Sequence, residues 1–159
     1  MLRARVLLVD DEKAFAESLA KRLSSREIET ACAFSGQQAL LYLQIDSAID
    51  VVILDLRMPA MNGIETIRAI KERHPLLEVV MLTGHATIES AVEGIKLGAF
   101  DYLVKPCEID RLVDRIMKAA GRKKYYEKKL MEELSKPYRP KSNVQDLIRK
   151  IKEQSEGYE

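Results

Sequence analysis

Hydrophobic positions along this chain fall into two alternating kinds of run. Continuous apolar stretches occur at Arg5-Val6-Leu7-Leu8-Val9, Val51-Val52-Ile53-Leu54 and Val79-Val80-Met81-Leu82, with a looser alternation over 28–34 and a short stretch over 100–104. Runs of this length and composition predict strands buried on both faces, as in a parallel sheet covered by helices. Between them the period changes to that of a helix. Residues 13–24 place Phe15, Leu19, Ala20 and Leu23 on one face, with Glu17, Lys21 and Arg22 opposite. Ser35-Gly36-Gln37-Gln38 offers a capping box to a second helix carrying Ala39, Leu40 and Leu43. Pro59, Asn62 and Gly63 defer a third helix to about Ile64, with Ile64, Ile67 and Ile70 as its inner face, and His74-Pro75 ends it. A fourth helix over 87–97 is expected to turn Ile88, Ala91, Val92 and Ile95 inward and to stop at Gly98. From about Glu108 a long helical pattern begins.

Five strands alternating with five helices predict a doubly wound parallel α/β sheet of flavodoxin-like order 2-1-3-4-5, whose switch point lies between strands one and three. In such sheets ligands bind outside the carboxyl ends of the strands at that point. The chain puts its chemistry there. The first strand runs into Asp10, Asp11 and Glu12, the third into Asp55, the fourth into Thr83-Gly84-His85 and the fifth into Lys105-Pro106. Three carboxylates crowded into one crevice are unfavourable without a cation, and hard oxygen donors at a half-open site suit Mg²⁺ with several retained waters. Asp10, Asp11 and Glu12 also sit where a helix dipole favours negative charge. That simpler reading holds for Glu12; for the two aspartates it is outweighed once Asp55, Thr83 and Lys105 end three further strands.

At 159 residues and 47% apolar composition, the chain suits one domain over residues 1–120 and a helical extension over 121–159. The net charge of +1 hides an asymmetry, because residues 121–159 carry eleven Lys/Arg against seven Asp/Glu. No leader pattern is present, and no apolar run approaches the roughly 20 residues that span a bilayer. A soluble cytoplasmic protein without a membrane partner is expected. Cys32 and Cys107 lie far apart and read as ordinary reduced thiols.

Four motifs taken together resemble the receiver domain of two-component response regulators: Val9-Asp10-Asp11, Leu54-Asp55-Leu56-Arg57-Met58-Pro59 followed by Gly63, Leu82-Thr83-Gly84, and Ala99-Phe100-Asp101-Tyr102-Leu103-Val104-Lys105-Pro106. They fall in the right order at suitable strand ends and cover about residues 3–120. Gly98-Ala99-Phe100-Asp101-Tyr102-Leu103 is most similar to receivers of nitrogen-regulator type. The ATPase and DNA-binding parts that normally follow such receivers have no counterpart here, so that output is not carried over.

The resemblance implies a CheY-like version of the fold and a set of roles. Asp55 is then the nucleophile that takes a phosphoryl group from a sensor histidine kinase or a phosphotransfer protein. Asp10, Asp11, Asp55 and the backbone carbonyl of Arg57 hold Mg²⁺. Lys105 pairs with Asp55 and later with phosphoryl oxygens; otherwise it is a surface lysine after a strand. Thr83 donates its hydroxyl to a phosphoryl oxygen, with a helix cap as its simpler reading, and Tyr102 follows the movement as a half-buried switch aromatic. Arg57 and His85 flank the path of hydrolytic water and tune dephosphorylation, although His85 equally suits a cap or solvent. The readout is the face of helix four, strand five and helix five. A second function of another class is a Mg²⁺-dependent hydrolase with an aspartyl-phosphate intermediate. Such enzymes are expected to carry a second acid two residues after the nucleophile, and that position here is Arg57.

In the tail, Ile109, Leu112, Ile116, Ala119, Tyr126 and Leu130 extend helix five to about Leu134, with Gly121 and Lys123 interrupting the seam. Homodimerisation through this helix or the helix four–strand five–helix five face is open. Arg122-Lys123-Lys124-Tyr125-Tyr126-Glu127-Lys128-Lys129 reads as a solvated helix face, so direct DNA binding is not expected. Pro137 and Pro140 break the helix. Ser142 or Asn143 then caps a last amphipathic helix bearing Val144, Leu147, Ile148 and Ile151.

Overall fold

The computed structural model describes residues 3–137 and 143–155. Five strands, β1 (Arg5–Val9), β2 (Glu29–Ala33), β3 (Val51–Leu54), β4 (Glu78–Thr83) and β5 (Asp101–Val104), alternate with α1 (Lys13–Ser24), α2 (Gly36–Ile45), α3 (Gly63–Arg73), α4 (Ile88–Lys96) and α5 (Ile109–Leu134), and α6 (Val144–Gln154) follows. The sheet is parallel throughout in the order β2-β1-β3-β4-β5, as the hydrophobic pattern predicts. The unbroken apolar runs now have their physical cause. Val51 and Ile53 point into one core with Ala16, Leu19 and Leu23 of α1 and Leu112 and Ile116 of α5. Val52 and Leu54 point into the other with Ala39 and Leu43 of α2 and Ile67 and Ile70 of α3. In these central runs the side chains alternate between two covered faces, so both parities are aliphatic.

Local chemistry sets the helix starts. Ser35 caps α2 by accepting from the Gln38 N–H, but Gln38 Oε1 accepts from the Phe34 N–H, so the reciprocal half of the expected box is displaced by one residue. Asn62 and Glu65 form a full capping box on α3, one residue ahead of the expected start. Fully buried Thr66 joins Ile67 and Ile70 on the inner face, its hydroxyl donating to the Asn62 carbonyl, while Ile64 is half-buried.

The largest departure from the pattern is α4. Ile88 is 85% exposed, and Val92 and Ile95 are about half exposed, contrary to the inward face expected for them. Gly94 is the buried position; a methyl there would lie 3.7 Å from Met81 and 3.8 Å from Tyr102. The helix therefore approaches β4 and β5 along Ser90, Gly94 and Leu97, with Ala91 half-buried. Periodicity reports which face is apolar and carries no information on whether a neighbour covers it. Gly98, at φ +105°, ends the helix as expected, in a region that β-carbon sterics otherwise disfavour.

Strand β4 begins one residue earlier than its aliphatic run, with Glu78, which is fully buried. Its carboxylate takes the Lys71 ammonium at 3.2 Å and pairs with the Arg122 guanidinium. Lys123 reaches Asp50 at 3.4 Å and Glu127 at 2.9 Å. Arg122 and Lys123 thus turn into the body, which corrects the reading of this stretch as one solvated face. They fasten α5 to the N-terminal ends of the strands, the pole opposite Asp55.

Helix α5 continues unbroken past residue 120, and α6 folds back onto it. Asn143 caps α6 by accepting from the Asp146 N–H. Pro140 and Ser142 lie outside the described residues. Leu147, Ile148 and Ile151 are buried as expected, whereas Val144 is about half exposed. Lys152 reaches across from α6 and donates to the Pro75 carbonyl. Burial first, then nearby Lys71, lower its pKa from 10.5 to about 8, with Arg122 adding to the effect and Glu78 opposing it. A depressed folded-state value means that the docked form binds fewer protons between about pH 8 and 10.5. Docking of α6 should therefore tighten as pH rises through that window, with the penalty fully present below it. An NMR titration of the Lys152 Cε resonance should give a midpoint near 8. A midpoint near 10.5 would show that α6 is not seated on this cluster.

Candidate phosphoacceptor site

Parallel pairing of β1 with β3 aligns Val9 with Leu54, so the next residue of each strand, Asp10 and Asp55, emerges side by side at the switch point. The Asp55 N–H donates to the Val9 carbonyl at 3.0 Å, and the Asp10 N–H to the Ala33 carbonyl at 3.1 Å. Both carboxylates are buried and Asp11 is exposed. One oxygen from each of Asp10, Asp11 and Asp55 falls in a cluster whose members lie within 4.8 Å of one another. Pairing of β4 with β5 matches Thr83 to Val104, which delivers buried Thr83 and Lys105 to the same crevice. The site is thus built by strand register, with Asp10, Asp55 and Lys105 one step beyond their β-ladders and Thr83 on the last rung of its own.

Each group is held in a definite way. Asp55 Oδ1 accepts from the Leu56 N–H at 2.8 Å, and Asp10 Oδ1 accepts from the Glu12 N–H at 2.9 Å. The Lys105 ammonium, on a mostly covered side chain, lies 2.6 Å from Asp10 Oδ2, 3.8 Å from Asp55 Oδ2 and 4.0 Å from Glu12 Oε1. Its close partner is Asp10, whereas the sequence suggested Asp55; Asp55 is the second contact. The same ammonium lies 4.0 Å from the centroid of the Phe15 ring. Gly63 packs at very close range against the loop that begins at Asp55. A methyl group there would come within 2.4 Å of the Asp55 carbonyl oxygen and 2.7 Å of the Leu56 Cα, so only glycine lets α3 begin against this loop.

Burial raises the Asp55 pKa most, and the neighbouring Asp10 charge raises it further; Lys105, the Thr83 hydroxyl and the Leu56 N–H act the other way. Three clustered carboxylates face a single lysine, so the pocket carries more negative charge than that lysine relieves. Three hard oxygen donors from two strand ends are the donor set that Mg²⁺ takes, so the residues present fit that ion.

The remaining expected residues divide. Thr83 is the last residue of β4, and its Oγ1 accepts from the His85 N–H at 3.1 Å. The cap of α4 is Thr87, which forms a box with Ser90, so neither Thr83 nor His85 has that role. His85 and Arg57 are exposed beside the crevice. Glu12 precedes α1 with its side chain outward and makes no side-chain cap bond. Tyr102 is half-buried, and its hydroxyl lies 2.7 Å from Ser90 Oγ. Ser90 was missed from the sequence. The Thr-x-x-Ser spacing signals its cap, but only the fold brings it to Tyr102.

Comparisons with known proteins agree with this geometry. The response regulator receiver domain family matches residues 6–117. The chain is 37% identical over 123 residues to the regulatory protein AtoC of Escherichia coli K12, covering 76% of this chain and 26% of AtoC. It therefore spans about a quarter of that relative's length. A receiver domain protein from Clostridium thermocellum superposes with a TM-score of 0.73 at 35% identity, covering 77% of this chain and 98% of that one. The structure of NtrX from Brucella abortus matches with a TM-score of 0.75 at 32% identity, covering 96% of this chain and 35% of NtrX. Family match, sheet order and the residues at the four strand ends agree, and the chain belongs to the response regulator receiver domains of two-component signalling.

Proposed function

We propose that Asp55 is the phosphoacceptor of a cytoplasmic phosphorelay, charged by a sensor histidine kinase or a phosphotransfer protein. The observation that carries this reading is the convergence of Asp10, Asp11, Asp55, Thr83 and Lys105 from four strand ends. An Asp55 carboxylate oxygen attacks the phosphorus of a phosphohistidine. The P–O bond forms as the P–N bond breaks, and the imidazole leaves with the electron pair and is protonated. Asp10, Asp11, Asp55 and the Arg57 carbonyl would hold Mg²⁺, which when bound neutralises charge on the transferring group. Lys105 shifts from Asp10 toward the new phosphoryl oxygens, a movement its 3.8 Å distance to Asp55 makes short. The Thr83 hydroxyl, now an acceptor for the His85 N–H, turns to donate to phosphate. Tyr102 must then exchange its Ser90 partner to follow.

The switch is read on α4, β5 and α5, where Ile88, Val92, Ile95 and Val104 already present an apolar surface suited to a partner or a second copy. We divide the chain into a receiver over residues 1–120 and an extension over 121–159, an extension in which Arg122 and Lys123 are committed to internal ion pairs, not nucleic acid. Among the described residues no helix is long and apolar enough to cross a membrane. The hydrolase alternative lacks its second acid, since Arg57 stands there.

Incubation with acetyl phosphate and Mg²⁺ should add one phosphoryl group by intact mass, and EDTA should prevent it. Uptake unchanged in EDTA counts against the metal. Exposed Arg57 and His85 flank the crevice, and Arg57 can lie against the phosphoryl group and obstruct water. Arg57→Ala should then lose phosphate faster than the parent; an equal or slower loss removes Arg57 from that role.

A further inference from the structure

The position of the Lys105 ammonium is set by more than its ion pairs. Its stem carries four rotatable carbons, and a lysine ammonium is a point charge that binds without fixed direction. It rests on Asp10 at 2.6 Å, with Asp55 at 3.8 Å and Glu12 at 4.0 Å, and these carboxylates alone leave its remaining side undefined. The Phe15 ring face, 4.0 Å from the ammonium, supplies the third side of its site. Phe15 stands in the first turn of α1, directly after the acidic loop, and its ring packs on the core cluster that contains Ala16, Leu19 and Leu103. The ring is half-buried and seated on that cluster, which gives it a defined place beside the ammonium.

We infer that Phe15 is a positioning residue for phosphoryl transfer, holding the Lys105 ammonium by a cation–π contact beside Asp10 and within short reach of Asp55. This rests on the phosphoacceptor reading of the site. An aromatic face attracts the cation without a counter-charge, so it restrains the ammonium and leaves its N–H donors free for carboxylate and then phosphoryl oxygens. An aliphatic side chain at 15 would fill the same core space and attract nothing. Held in this way, Lys105 needs only a short displacement to leave Asp10 for a phosphoryl group on Asp55.

The test compares the full-length parent with Phe15→Leu, which keeps an apolar side chain, and Phe15→Tyr, which keeps the ring. In the parent, the Lys105 ε-methylene protons should show an upfield ring-current shift by NMR. That shift should vanish in Phe15→Leu and persist in Phe15→Tyr. The initial rate of phosphorylation by acetyl phosphate at saturating Mg²⁺ should fall by about 2- to 30-fold in Phe15→Leu, the range of a partly to fully desolvated cation–π contact. Beryllofluoride affinity should fall in step, and Phe15→Tyr should stay within about 2-fold of the parent on both measures. A parent without the ring-current shift overturns the inference whatever the variants do. So does Phe15→Leu at the parental rate, or Phe15→Tyr losing as much as Phe15→Leu. A parent that takes up no phosphate overturns the phosphoacceptor reading itself and this inference with it, whereas uptake by the parent and equally by Phe15→Leu overturns the inference alone.

Discussion

Asp55→Asn should abolish phosphate uptake from acetyl phosphate while leaving the fold in place. The substitution is nearly isosteric, and the carbonyl oxygen of Asn can still accept the 2.8 Å bond from the Leu56 N–H that orients the side chain. What disappears is the nucleophilic carboxylate. No neighbour can replace it, because Asp10 is buried against the Lys105 ammonium and Asp11 lies at the exposed rim. Stability should rise or stay level, since burial and the Asp10 charge both make an ionised Asp55 unfavourable. The measurements are intact mass after incubation and a denaturation midpoint. A hydroxylamine-sensitive phosphate retained by the variant would place the acceptor elsewhere.

Glu78→Gln should produce the largest loss of stability, about 3–5 kcal/mol, by leaving buried charge without its partner. Glu78 is fully buried and serves two cations directly, Lys71 at 3.2 Å and Arg122. Lys152 feels the same carboxylate. Burial already lowers the Lys71 pKa, and Glu78 is what opposes that shift. Glutamine keeps the volume and one acceptor but none of the charge, so three cations then face one another around a neutral amide. The loss should appear as a lower urea midpoint with an unchanged slope, together with weaker attachment of α5 and α6 at this pole. A change below about 1 kcal/mol would mean that water or side-chain movement relieves the cations, the outcome typical of exposed pairs.

The two effects separate the poles of the molecule. Asp55 stands at the carboxyl ends of the strands, where on the proposed function the Lys105 ion pairs are exchanged during phosphoryl transfer. Glu78 stands at the amino ends, where they fasten helices to the sheet. Both carboxylates are buried in the same fold, and their different roles follow from what surrounds them. Asp55 has a single lysine in second contact and two further carboxylates, Asp10 and Asp11, beside it, whereas Glu78 meets cations from α3, α5 and α6.

Most of the architecture was legible in the sequence because a doubly wound sheet writes both its periods into the chain. Aliphatic runs such as Val51-Val52-Ile53-Leu54 are diagnostic of two covered faces, and the chemistry stands one residue past each run. Asp10, Asp55, Thr83 and Lys105 were therefore identifiable before their proximity was known. Tertiary structure alone decided three further matters. The first is the direction in which α4 turns: Ile88, Val92 and Ile95 have core-like spacing, but buried Gly94 sets the contact and leaves them outside. The second is pairing at long range, where Lys105 chooses Asp10 over Asp55 by distance and gains Phe15 as a neighbour. The third is the burial of Glu78 and the half-burial of Arg122 and Lys152 around it, charged residues that pattern assigns to the surface. Hydrophobic periodicity encodes the preference of a face, whereas electrostatic partners depend on distances between segments far apart in sequence, and only the packed sheet and helices set those distances.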